Sequence, residues 1–276
     1  MEDILNKIVA AKKIEVENFK KNTSEVTLSN FPLFNRTPYS LKEFILDEDK
    51  TGIIAEFKRK SPSKGVIKEN ASPKDITRAY FENGASALSV LTDFSFFGGS
   101  VEDLSIARLF NPLPILRKDF IVDAIQIIEA KAIGADAILL IAECLTNAEI
   151  KNFANIALDL GLEVLLEVHE MEQLDKWNPA IHLVGINNRN LKTFKVSVEH
   201  SFDMLPLMPK EAIKIAESGL NNPETLVELK KAGFNGFLIG EYFMAQENTP
   251  LAAAAFMHDF FDKWYIHKLN NDERGA

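Results

Sequence analysis

The sequence predicts an α/β protein: a (β/α)8 TIM barrel with an N-terminal helical extension. Three observations carry this. Eight short apolar runs, rich in Ile, Val and Leu, follow one another at residues 52–57, 87–92, 115–118, 137–141, 162–168, 183–186, 213–216 and 236–239. They are too short for helices, and continuous apolar runs mark strands buried on both faces, as in parallel sheets. A polar, helix-competent stretch separates each run from the next. Three segments also share a phrase: Gly84-Ala85-Ser86-Ala87, Gly134-Ala135-Asp136-Ala137 and Gly233-Phe234-Asn235-Gly236. In each, a glycine suited to a helix C-terminus precedes a small residue that opens the next strand. This is a repeating βα unit. A doubly wound sheet is the competitor, and it lacks the Gly-x-Gly-x-x-Gly turn after its first strand.

The length of 276 residues fits one barrel with an extension. The expected boundaries are 1–50 for a helical extension packed on the barrel and 51–276 for the catalytic barrel, one domain overall. In the extension, Ile4, Ile8, Ala11 and Ile14 recur at helical spacing among Lys and Glu, which predicts an amphipathic helix. Residues 22–42 are polar and turn-rich, broken by Pro32 and Pro38. The net charge of −9 argues against a nucleic-acid partner. No apolar stretch approaches the ~20 residues of a membrane span, and the N-terminus has no signal-peptide pattern. The single cysteine, Cys144, rules out an internal disulfide or a multi-cysteine metal site. The chain therefore reads as cytoplasmic.

A barrel places its active site at the C-terminal ends of its strands, and polar residues break the apolar pattern there. The first strand ends in Glu56 and Lys58, two apart and so on one face. They are an acid/base or anion-holding pair, or a buried structural ion pair. Lys60, Ser61, Ser63 and Lys64 follow in a polar loop suited to an anion. The Phe96-Phe97 pair after the second strand lines an aromatic pocket or packs its own loop. The third strand delivers Lys118, a general acid if burial near other cations lowers its pKa. The fifth delivers Glu167 among leucines, where a raised pKa suits a proton shuttle. His169 alternates to the other face and is not a chosen catalyst. The sixth offers Asn187 and Arg189 on one face. The seventh and eighth end in Ser218-Gly219 and Gly240-Glu241, where barrel phosphate sites recur. The five histidines show no metal-ligand spacing, and Cys144 reads as a small buried hydrophobe rather than a nucleophile.

Seven segments in order resemble indole-3-glycerol phosphate synthases of tryptophan biosynthesis. They are Ile54-Ala55-Glu56-Phe57-Lys58-Arg59-Lys60-Ser61-Pro62-Ser63, Phe96-Phe97-Gly98-Gly99-Ser100, Leu116-Arg117-Lys118-Asp119-Phe120, Leu166-Glu167-Val168, Gly185-Ile186-Asn187-Asn188-Arg189-Asn190-Leu191, Ala216-Glu217-Ser218-Gly219 and Ile239-Gly240-Glu241. The resemblance spans the whole chain. It implies a decarboxylating, dehydrating ring closure of 1-(2-carboxyphenylamino)-1-deoxyribulose 5-phosphate. It implies no organic cofactor and no metal, a phosphosugar substrate, and room for association with other enzymes of the tryptophan pathway. By resemblance, Lys118 is the general acid and Glu167 the proton-transferring carboxylate. Lys58 holds the substrate carboxylate, Glu56 orients the lysines, and Asn187 contacts a substrate hydroxyl with Arg189 in support. Ser61 lies in the first loop, and Ser218, Gly219, Gly240 and Glu241 grip the phosphate through backbone groups. Glu143, after the fourth strand, departs from the pattern, which has an uncharged or basic residue there. Two alternatives stay open. A phosphoribosylanthranilate isomerase would use a strand-end Cys and Asp. A catalytically dead barrel sensing a phosphosugar would lack one of the charged strand-end residues, and none is missing.

Overall fold

The computed structural model describes residues 4–191 and 193–275. Met1–Asp3, Lys192 and Ala276, which fall within the boundaries 1–50 and 51–276, lie outside the described residues. Eight parallel strands close a barrel: β1 (Ile53–Phe57), β2 (Ala87–Leu91), β3 (Ile115–Lys118), β4 (Ala137–Ile141), β5 (Glu163–Val168), β6 (Leu183–Asn187), β7 (Ile213–Glu217) and β8 (Gly236–Ile239). Each predicted run becomes a strand to within about one residue at each end. Closure is by β1 beside β8, with Ile54 opposite Leu238. A short hairpin pairs Lys60 with Val66 and Ser61 with Gly65 in the loop after β1.

Three helices precede the barrel: α1 (Ile4–Asn22), α2 (Glu25–Ser29) and α3 (Leu41–Leu46). Between and after the strands come α4 (Pro73–Glu82), α5 (Phe94–Phe97), α6 (Val101–Phe110), α7 (Ala124–Ala132), α8 (Asn147–Asp159), α9 (Glu199–Met204), α10 (Pro223–Ala232), α11 (Glu241–Met244) and α12 (Thr249–Gly275). A 3₁₀ helix, Met171–Lys176, stands after β5 where the rhythm would place an α-helix. No helix among the described residues is long and apolar enough to cross a membrane.

Two apolar shells form. Inside the barrel, Ile54, Ala87, Leu116, Leu139, Leu165, Leu183, Ile215 and Leu238 pack together. Between strands and helices a larger shell includes Ile53, Leu88, Ile115, Val164 and Phe237. Alternate residues of one strand thus feed different shells.

The repeated phrase has a shared structural use. Gly84, Gly134 and Gly233 take positive φ where their helices end, and the next N–H closes back onto the helix, as in Ala135 N–H to Ala130 O at 2.9 Å. The polar residue after that turns to a neighbouring strand. Ser86 Oγ accepts from Gly52 N at 2.7 Å, Asp136 Oδ2 from Ile115 N at 2.7 Å, and Asn235 Oδ1 from Lys214 N at 2.8 Å. These bonds pin strand starts at the N-terminal face of the barrel. Asp136 also binds Arg108 and Arg36 at 2.7 and 2.6 Å and accepts from Tyr39 N at 2.7 Å.

The extension sits differently from its apolar pattern. Helix α1 buries Leu5, Ile8, Lys12 and Val16, while Ile14 is 62% exposed. The face is rotated because Lys12 is drawn inward: its Nζ lies 3.0 Å from Asp119 Oδ1 and 3.1 Å from Asp93 Oδ2. Burial pushes the Lys12 ammonium down, but Asp119 and Asp93 outweigh it and hold it above the ordinary range. A charge matched in this way behaves as a core residue.

Candidate active site

Strand alternation decides which side chains meet. Two residues beyond Ile54, Leu116, Leu165 and Ile215, the same inward faces carry Glu56, Lys118, Glu167 and Glu217. On β6 the face of Leu183 continues through Gly185 to Asn187. Lys118 lies at the centre, its Nζ 2.7 Å from Glu167 Oε2 and 2.9 Å from Glu217 Oε2. Asn187 Nδ2 donates to Glu167 Oε1 at 3.1 Å. Lys58 Nζ lies 2.7 Å from Glu56 Oε1, and Ser89 Oγ donates to Glu56 Oε2 at 3.3 Å.

Two glycines make room for these acids. A Cβ on Gly185 would stand 2.0 Å from Glu217 Oε1, and one on Gly240 would stand 2.5 Å from Glu56 Oε1. Gly240 was expected to admit a ligand to the backbone. Its missing side chain is first of all the space that Glu56 occupies.

The electrostatics reverse two sequence expectations. Burial alone would lower the pKa of Lys118, but Glu167, Glu217 and Glu56 overcome it and hold the ammonium well above the ordinary lysine value. The expected lowering near other cations fails because the nearest charges are carboxylates from across the barrel. Glu167 was expected to be raised among leucines. Burial does push it up, yet Lys118, His169 and the Asn187 bond bring it down to about 2. The raised acid is Glu217: burial and the charges of Glu167 and Glu56 outweigh Lys118 and lift it to about 7. Its Oε1 has no hydrogen-bond partner.

These groups form the floor of a cavity of about 610 Å³. Glu56, Lys58, Ser61, Lys118, Glu167, Asn187, Arg189, Ser218, Gly219, Gly240 and Glu241 all line it. One wall is apolar, with Phe97, Phe120, Leu139 and Ile141, and Ile4, Leu5 and Ile8 of α1 line the cavity as well. The Phe97 and Phe120 rings stand 6.0 Å apart, so Phe97 takes the pocket reading of its pair. At the rim, Ser218 and Gly219 both have positive φ, 67° and 75°. Arg189 Nη2 binds Glu241 Oε2 at 2.9 Å, with Lys64 Nζ 3.8 Å from the other oxygen. The Glu241 carboxylate is therefore already engaged.

Glu143 lies outside the cavity lining, and its carboxylate accepts from Gln173 Nε2. Cys144 also lies off the lining and packs against both apolar shells. Among the described residues, no group of three or more His, Cys, Asp or Glu could hold a metal ion. Sequence reasoning missed Glu217 as a site residue. The signal was there: Ile213, Ile215 and Glu217 share one face, and a carboxylate ending an apolar run inside a barrel is the pattern that singled out Glu167.

A closed barrel with lysines and carboxylates in mutual contact at the C-terminal ends of its strands has the architecture of a (β/α)8 enzyme. The solved structures it is similar to share that fold. A tryptophan synthase α-subunit from Pyrococcus furiosus superposes with a TM-score of 0.58 at 16% identity, covering 78% of this chain and 99% of that one. A thiamine phosphate pyrophosphorylase from Pyrococcus furiosus does so with a TM-score of 0.58 at 15% identity, covering 79% and 98%. The indole-3-glycerol phosphate synthase family matches residues 5–256. A protein of that name from Bacteroides thetaiotaomicron is 49% identical over 246 residues, 88% of this chain and 94% of that protein. Another, from Campylobacter fetus subsp. fetus, is 44% identical over 246 residues, covering 89% and 95%. The chain belongs to the indole-3-glycerol phosphate synthase family.

Proposed function

We propose that the protein closes the indole ring of 1-(2-carboxyphenylamino)-1-deoxyribulose 5-phosphate, releasing carbon dioxide and water, as a carboxy-lyase of tryptophan biosynthesis. The observation that carries the reading is the Lys118 ammonium held between Glu167 and Glu217 on the cavity floor, at 2.7 and 2.9 Å. An anthranilate ring carbon attacks the sugar ketone, and Lys118 gives its proton to the oxygen that becomes negative. Carbon dioxide leaves with its bond electrons returned to the ring. The hydroxyl then departs as water with a proton from Lys58, or from Lys118 once it has taken one up again from solvent, while Glu167 takes the proton lost from the ring.

The low pKa of Glu167 orders these steps. With Lys118 charged beside it, Glu167 is a weak base. Once Lys118 has spent its proton, Glu167 is a buried carboxylate without its cation, and its basicity rises. A general acid held above its ordinary pKa stays protonated at neutral pH until the ketone oxygen turns basic enough to take the proton.

The aryl ring fits the wall of Phe97, Phe120, Leu139 and Ile141. Lys58 is assigned the substrate carboxylate, Glu56 the positioning of Lys58, and Asn187 a sugar hydroxyl with Arg189 as support. The phosphate is assigned to the rim formed by Ser61, Ser218, Gly219, Gly240 and Glu241, with backbone N–H groups as donors. The extension 1–50 and the barrel 51–276 act as one unit in this reading, since Ile4, Leu5 and Ile8 of α1 line the cavity. Cytoplasmic residence, turnover without cofactor and any association with other pathway enzymes belong to it as well. The test is to supply the carboxyphenylamino sugar phosphate to the purified protein and follow indole absorbance. No product from folded protein overturns the reading.

A further inference from the structure

The two oxygens of Glu167 keep different company. Oε2 faces the Lys118 ammonium at 2.7 Å, while Oε1 accepts from Asn187 Nδ2 at 3.1 Å. A carboxylate oxygen has room for a second donor. His169 Nε2 lies 3.5 Å from that same Oε1. The imidazole is buried, 8% exposed, and neither ring nitrogen has a hydrogen-bond partner. An unsatisfied buried donor or acceptor is costly and asks for an explanation. The backbone of His169 is fixed on both sides: its N–H donates to Gln173 Oε1 at 2.7 Å, and its carbonyl meets His200 Nε2 at 2.9 Å. The ring therefore reaches Glu167 by side-chain rotation alone.

We propose that His169 is a positioning residue for Glu167: its neutral ring carries the proton on Nε2 and donates it to Glu167 Oε1. This deepens the ring-closure reading and rests on it. The groups that face the imidazole are Glu167 on β5, Lys118 on β3, Glu143 after β4 and His200 on α9, with Gln173 beside its backbone. Burial pushes the imidazole below its ordinary pKa although Glu167 and Glu143 pull the other way, which keeps the ring neutral. The consequence falls at one moment of the cycle. When Lys118 gives up its proton, Glu167 loses the cation 2.7 Å away. Asn187 and His169 then hold Oε1 in place, and Oε2 becomes the oxygen that takes the substrate proton.

The bond and the reaction are tested separately. Ring closure by the parent protein tests the reading itself. Nitrogen-15 NMR of histidine-labelled parent tests the bond without turnover. The expected signal is a neutral Nε2–H tautomer at pH 7, with protonation only below the ordinary histidine value. An Nδ1–H tautomer, or a titration at the ordinary value of about 6.5, overturns the proposal. In activity, His169→Phe keeps a ring of similar size but removes the donor. The expected kcat falls about tenfold, the worth of one hydrogen bond to a charged group, with KM little changed. The acid limb of the kcat profile moves to higher pH, because Glu167 loses a donor to its charged form. His169→Gln presents an amide N–H at similar reach and is expected to restore most of kcat. If His169→Phe keeps the parent's kcat and pH limb, or if His169→Gln is as slow as His169→Phe, the proposal fails. If His169→Phe does not fold, the tautomer decides.

Discussion

The barrel buries carboxylates at both ends, and their surroundings differ in kind. At the N-terminal face, Asp136 accepts from four donors: Arg36, Arg108, Tyr39 N and Ile115 N, all within 2.6–2.7 Å. At the C-terminal mouth, Glu217 has one oxygen on Lys118 and the other without a partner. Three acids there, Glu56, Glu167 and Glu217, share two lysines. An acid with every lone pair met holds a structure together. An acid left short of partners, near others of its sign, keeps a proton in play. Residue type alone does not separate the two uses; the inventory of donors does.

Substitutions can break that contrast, starting with the largest expected effect. Lys118→Met removes the acid from the mouth. We expect kcat/KM to fall about 10³-fold or more, from lost proton transfer and lost charge stabilisation. The melting temperature should also fall at neutral pH, because Glu167 and Glu217 lose their shared cation. Turnover and thermal melts on the same folded preparation check both. Near-normal ring closure would move the role to Lys58.

At the opposite face, Asp136→Ala should cost about 3–5 kcal/mol of stability, since it strands Arg108 in the interior. Turnover per folded molecule should be unchanged. Denaturant titration paired with active-site-normalised rates distinguishes this from a mouth variant, and a specific loss of kcat would erase the contrast.

Glu167→Gln is expected to slow kcat by about 10²-fold with substrate affinity retained. Steady-state kinetics on the folded variant decide it, and a change within a small factor would make Glu167 structural.

Glu217→Gln should stabilise, in a pH-dependent way. The Glu217 carboxyl is raised to about 7 in the folded protein. The stability that its protonation contributes is complete below the unfolded carboxyl value and is lost as pH rises through about 7. A neutral amide avoids that loss. The variant should melt higher than the parent at pH 8 by a few degrees and by much less at pH 5. Equal melting at both pH values would place Glu217 among the satisfied acids. The smallest effect is expected for Cys144→Ala and for chelation, both of which should leave turnover within about twofold, because the proposed chemistry is carried by lysines and carboxylates alone. A collapse of turnover in folded protein would overturn that.

Much of this was legible before any geometry. The strands were readable because each is buried on both faces and so lacks the alternation that blurs boundaries. The strand-end residues were readable as polar breaks in apolar runs. The pKa directions of Lys118 and Glu167 were not, since each depends on residues from strands far apart in sequence that meet only when the barrel closes. The face of α1 was misplaced for a related reason. Lys12 counts as polar in any pattern, and only Asp93 and Asp119 make it a core residue.

The space beside Glu56 has a consequence for building new barrels from old ones. Glu56 belongs to the first strand and Gly240 to the turn after the last, and the two meet across the seam where β1 joins β8. Half-barrels exchanged between relatives, one ending before β5 and the other beginning there, would draw these partners from different parents. A donor half with any side chain at position 240 would collide with the carboxylate, whatever the quality of the strand pairing. The two positions form a single heritable unit split across the chain, and a chimera library should be sorted on them before any other property is screened.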